Sequence, residues 1–150
     1  MATRATAGTT ASAGTISKGQ IWTGRVMSTL AVLFLLFDSA MKFAKIAQVL
    51  EAFDRLEWPR STIIPVATLL LLCTIVYIIP RTAILGAILL TGYLGGAVAT
   101  HFRHQDPLFS HILFPVYLGI LVWGGLYAQD LSLRALIPLR DEPRRTSGSV

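Results

Sequence analysis

The chain has 150 residues, 53% of them hydrophobic and only 14% charged, where a soluble domain has roughly a quarter charged. A soluble fold of this length exposes much of its surface and needs polar side chains to cover it, so the composition argues against a water-soluble globule. The net charge of +5 comes from 13 Lys and Arg against 8 Asp and Glu. These basic residues are scattered between apolar runs, which argues against nucleic-acid binding and fits charge flanking membrane spans.

Residues 1–20 are rich in Ala, Thr, Ser and Gly. They lack the compact apolar core of a signal peptide and predict a disordered tail. The first apolar run, residues 26–37, has only 12 uncharged residues, too few to cross a ~30 Å hydrocarbon layer. It can extend backward through Ile21 and Trp22, with Arg25 snorkelling to the headgroups, or forward past Asp38 to Met41. Either way Asp38 falls at the membrane boundary.

Beyond it, Phe43, Ile46, Leu50 and Phe53 recur at helical spacing, with Lys45, Gln48, Glu51 and Arg55 on the other face. This predicts an amphipathic helix in the interface plane, ended by Pro59, with Trp58 at headgroup depth. The alternative is that this segment continues the first helix out of the membrane.

Three longer runs, residues 61–80, 82–100 and 107–129, contain no Asp, Glu, Lys or Arg over 20, 19 and 23 residues. About 20 apolar residues at 1.5 Å each span the bilayer core, so each run predicts a transmembrane helix. Pro80 and Arg81 alone separate the second and third spans, which predicts a tight antiparallel hairpin. The third span is rich in small residues, including Gly92, Gly95 and Gly96, and Gly92 and Gly96 form one GxxxG. Such residues let helix backbones approach closely in lipid; packing inside the bundle is the default expectation and a homodimer face the alternative. The fourth span carries Pro115 near its start and Gly124 and Gly125 near its end. Residues 131–139 read as a short interfacial segment and residues 140–150 as a second disordered tail.

The predicted fold is therefore all-α: one membrane domain over residues 21–139, a four-transmembrane-helix bundle with an interfacial amphipathic helix between the first two spans. Eight basic residues on the side of the termini against five on the other favour both termini in the cytoplasm, in a multi-pass protein of the cell membrane.

Four antiparallel spans bring the end of the first, the start of the second, the end of the third and the start of the fourth to one membrane face. That face receives Asp38 and Lys42, then His101, Arg103, His104, Asp106 and His111. Asp38 and Lys42 are four apart and can pair on one helix face; ionisable groups at this depth are costly and tend to be functional. The simpler use of the pair is a boundary anchor. His101 and His104 could share a ligand face with Asp106 nearby, but no second strong ligand pair accompanies them, and neither metal nor haem is expected. Cys73, the one cysteine, can form neither an intrachain disulfide nor a CxxC pair. No phosphate-binding glycine loop or Ser-His-Asp order is present. Tyr93 and Tyr117 lie within spans, where helix-to-helix hydrogen bonds are the first expectation.

Three stretches, LFDSAMKF (residues 36–43), IPRTAILGAILLTGYLGGAVATHFR (79–103) and LFPVYLGILVWGGLY (113–127), resemble the DoxX-like family of small bacterial membrane proteins. The resemblance runs from about residue 21 to residue 139 and implies a four-helix membrane bundle. The family's namesake is associated with a membrane complex passing electrons from a sulfur compound to quinone, and other relatives are linked to oxidative-stress complexes. Many members carry an acidic residue in the second span, around the position of Leu70 here.

The leading expectation is a membrane subunit or accessory protein of a quinone-linked or redox-protective system, working with other redox subunits and not a complete enzyme alone. Asp38, Lys42, His101, Arg103, His104 and Asp106 would form its polar mouth. In that reading Lys42 or Arg103 would hydrogen-bond a quinone carbonyl, and a histidine or Asp38 would exchange its proton. The alternatives are a small carrier or channel-like protein, dimeric through Gly92 and Gly96, and a purely structural membrane partner.

Overall fold

The computed structural model describes residues 17–130 and Leu133. Four of its helical segments, Lys18–Phe43, Arg60–Ile78, Ala83–Arg103 and Leu108–Gln129, are long and apolar enough to cross a membrane, and no strand occurs among the described residues. The protein is an all-α, multi-pass membrane protein. Residues 1–16, the C-terminal tail and the interfacial segment expected after residue 130, Leu133 apart, lie outside the described residues.

Helix α1 (Lys18–Phe43) begins inside the stretch assigned above to the tail. Ser17 Oγ accepts from the Gln20 backbone N–H at 3.2 Å, and Gln20 Oε1 accepts from the Ser17 N–H at 3.2 Å. This reciprocal box satisfies donors that a helix start otherwise leaves open. At 26 residues and 1.5 Å per residue, α1 outruns a ~30 Å hydrocarbon layer. It stops where Lys45 turns to a left-handed backbone, φ 48°, so α2 (Ala47–Arg55) is a separate helix and not a continuation of α1.

Helix α2 ends earlier than the sequence suggested. The turn is made at Leu56 and Glu57, with φ 55° at Glu57, and Pro59 instead opens a single 3-10 turn, Arg60–Thr62. Val49 and Phe53 are buried against Ile63, with Met41, Ile46, Leu50 and Val66 packed around them. Phe43, expected on the same apolar face, is 41% exposed instead.

Helices α3 (Ile63–Ile78) and α4 (Ala83–Arg103) form the expected hairpin, braced by the Thr82 hydroxyl donating to the Val76 carbonyl at 2.8 Å. A π-type turn, Leu108–Ile112, leads into α5 (Phe114–Gln129), with Pro115 in its first turn where no N–H partner is lost. α1 packs on α3 and α5, and α4 on α3 and α5, so the four spans follow one another in chain order round a ring that the first and last close. Leu35, Leu70, Ala87, Leu90 and Val122 fill its centre. Outward-facing Leu33 (60%), Leu72 (55%) and Ile120 (59%) stay exposed, a surface suited to lipid and a liability in water.

The close helix contacts are not at the glycines singled out above. A Cβ added at Gly92, Gly95 or Gly96 would meet nothing within 4 Å, so these three do not serve packing inside the bundle. The contacts lie at the other end. A Cβ at Gly86 would overlap the Tyr77 backbone, and one at Gly24 would come within 2.8 Å of the Gly125 carbonyl. There the Tyr77 hydroxyl donates to the Val122 carbonyl at 3.0 Å and shares a 3.0 Å hydrogen bond with Ser28 Oγ, linking α1, α3 and α5. Gln129 Nε2 reaches Ser28 Oγ at 3.1 Å and the Gly125 carbonyl at 2.8 Å.

Gly86→Ala is expected to destabilise the detergent-solubilised protein by about 1–3 kcal/mol, since backbone cannot yield as a side chain can. Gly92→Ala should lie within about 0.5 kcal/mol of wild type. Thermal unfolding of the two variants side by side checks this contrast.

Candidate functional site

At the end of the bundle away from Tyr77 a cavity of about 460 Å³ lies between α3, α4 and the chain around α2. Phe53, Trp58 and Leu69 supply apolar walls, while Gly92 and Gly96 keep the α4 wall low. Bare glycines on α4 make room here; they do not make contacts. Lys42, Tyr93, Thr100 and His101 bring polar groups to the lining.

Each of the two basic groups in the lining contacts a carboxylate. Lys42 Nζ is bonded to Asp38 one turn earlier, with the lysine side chain only 13% exposed. The spacing of four puts both on one face of α1, and the apolar surroundings strengthen the pair. His101 Nδ1 lies 2.6 Å from Asp106 Oδ2. The α4 helix ends at Arg103, and a left-handed Gln105 (φ 54°) folds the chain back so that Asp106 returns beneath His101. Arg55 Nη2 sits 3.6 Å from the same Asp106 oxygen, which ties α2 to the α4–α5 connection. The hydrogen bond to His101, helped by the charge of Arg55, holds the Asp106 carboxyl below its ordinary pKa. On the rim, Arg60 clasps Asp54 through Nε at 3.0 Å and Nη2 at 2.5 Å, and this lowers the Asp54 pKa.

Of the residues picked out from sequence, Lys42 and His101 line the cavity, with Asp38 and Asp106 behind them as partners. Arg103 and His104 line a neighbouring groove instead. The His111 ring packs at 5.8 Å from His101, but no group of three or more His, Cys, Asp or Glu is placed to hold a metal ion among the described residues. Sequence reasoning missed Arg55 as the second partner of Asp106, and Phe53 and Thr100 as lining residues. Nothing in local spacing signals them, since they arrive from separate elements.

A family model described as the DoxX-like family matches residues 26–125, which is 100 of the 150 residues. The chain belongs to the DoxX-like family. No curated protein and no solved structure matches it. The matched segment of this DoxX-like protein begins within α1 and ends within α5, so it takes in Lys42, Tyr93, His101 and the rest of the cavity lining.

The Asp38–Lys42 pair is expected to behave as a unit. Asp38→Asn or Lys42→Met alone strands a partly buried charge and should cost about 1–3 kcal/mol of stability. The double variant should cost less than either single change, read as coupling in a double-mutant cycle.

Asp106 adds a pH dependence. Its folded pKa lies below the unfolded value, so its stabilisation is complete at neutral pH and is lost as pH falls through the folded value. The difference in melting temperature between wild type and Asp106→Ala should be full above about pH 5 and shrink as pH drops below about 3.9. A difference that grows as pH falls below about 3.9 would contradict this assignment.

Proposed function

We propose that this DoxX-like protein is a membrane-embedded subunit or accessory protein of a quinone-linked or redox-protective system, and that its cavity receives a quinone head. The observation that carries the reading is the charge balance of the lining. Lys42 and His101 lie in a mostly apolar pocket of about 460 Å³, within the size range of small-molecule sites; Lys42 is paired with Asp38, and His101 contacts Asp106, which Arg55 shares. A pocket neutral overall disfavours an anionic ligand, which needs uncompensated positive charge. It suits a flat, uncharged head with carbonyl acceptors.

Lys42 would donate to one carbonyl while remaining paired to Asp38. His101 has Nδ1 engaged by Asp106, which leaves Nε2 to exchange a proton with the ligand. Asp106 orients the ring, and half-exposed Arg55 joins this arrangement to the water side. A quinone supplies the two-electron, two-proton acceptor; the electron donor would belong to a partner subunit. On the positive-inside balance, both termini face the cytoplasm and the cavity opens towards the opposite side of a cell membrane.

The test is titration of a short-chain ubiquinone analogue into the protein in lipid nanodiscs, read by quenching of Trp58 fluorescence with Trp58→Phe as the control. Saturable quenching is expected, weakened about tenfold in Lys42→Met, which corresponds to ~1.4 kcal/mol. Absence of saturation in the wild-type protein would sink the reading.

A further inference from the structure

Beside the cavity lies a second, shallower groove of about 370 Å³, where the chain between α2 and α3 passes the last turn of α4. Glu57, Trp58 and Pro59 form one side, and Thr100, Arg103 and His104 the other. Trp58 and Thr100 belong to both spaces, so the groove is continuous with the cavity wall.

Its charges differ from those of the cavity in one respect. At this end of the bundle Lys42 is paired with Asp38, Arg60 with Asp54, and both Arg55 and His101 with Asp106. Arg103 and His104 enter no ion pair among the described residues, and neither does the Glu57 carboxylate across the groove from them. Arg103 and Glu57 are both exposed. The groove thus presents a cation with a histidine on one wall, and an anion with an indole on the other.

Its depth is also defined. Arg103 closes the span Ala83–Arg103, and Trp58 lies just before the span Arg60–Ile78, so the groove sits at the level of lipid headgroups, where tryptophan is enriched. A phosphate at that level can accept from the fork of an arginine guanidinium. An ammonium can meet a carboxylate and the face of an indole. Phe102, 68% exposed next to Arg103, offers apolar surface for an acyl chain.

We infer that this groove is a binding site for a phospholipid with a zwitterionic headgroup, its phosphate on Arg103 and His104 and its ammonium between Glu57 and Trp58. A headgroup of net negative charge fits less well, because it brings no ammonium to Glu57 and leaves that carboxylate unpaired beside the phosphate. The site does not depend on what the cavity binds.

The test uses the full chain in nanodiscs holding equal amounts of phosphatidylethanolamine and phosphatidylglycerol, with retained lipid counted by native mass spectrometry after gentle release. Wild type is expected to keep phosphatidylethanolamine over phosphatidylglycerol by about tenfold. Arg103→Gln should lose both lipids, while Glu57→Gln should keep lipid but shift the preference towards phosphatidylglycerol. Added inorganic phosphate should leave the bound lipid in place. Equal retention of the two lipids by wild type, unchanged retention in Arg103→Gln, or displacement by phosphate overturns the assignment. Melting curves of the variants, whose altered side chains are exposed, establish that each remains folded.

Discussion

Helices in lipid gain nothing from leaving their surroundings, because acyl chains are as apolar as leucine. What holds this bundle is therefore close backbone contact at one end. Gly86 lets α4 lie directly on the Tyr77 backbone, and Gly24 and Gly125 let α1 and α5 cross without side chains between them. The Tyr77 hydroxyl, buried with Ser28 and the Val122 carbonyl as partners, then fixes three helices to one another.

Tight contact at that end has a consequence at the other. A cavity lies there, and Gly92 and Gly96 leave the α4 surface bare where a side chain would otherwise fill the gap. The small α2 helix and Trp58 wall off the remaining side. Here the ionisable groups collect in pairs, because an isolated charge at this depth would be costly. Pairing also leaves the one lysine of the lining matched by a carboxylate one turn away. In the second span Leu70 is fully buried in the core. The charged groups of this chain lie nearer the membrane boundary.

Much of the architecture is legible in the sequence, and for a simple reason. Run length measured against bilayer thickness counts the crossings, and odd–even order decides which helix ends meet on one face. That reasoning alone places Asp38, Lys42, His101 and Asp106 at a common end, and spacing four apart anticipates the Asp38–Lys42 pair. The capping signal in Ser17 and Gln20 was equally present, but it lies in a stretch whose small, polar composition resembles a tail.

What the sequence could not decide is which way each helix faces. In water, a polar stripe marks the outside of a helix; in lipid both the core and the outer surface favour apolar residues, so periodicity carries little rotational information. Glycines at 86 and 92 look alike in the sequence, yet one lies against a neighbouring backbone and the other opens a cavity. The Arg55–Asp106 contact, like the split between Lys42 in the cavity and Arg103 in the groove, depends on those rotations and on two left-handed turns, at Glu57 and Gln105. Length and polarity determined the medium and the number of crossings; only the packed bundle decided which residues share a site.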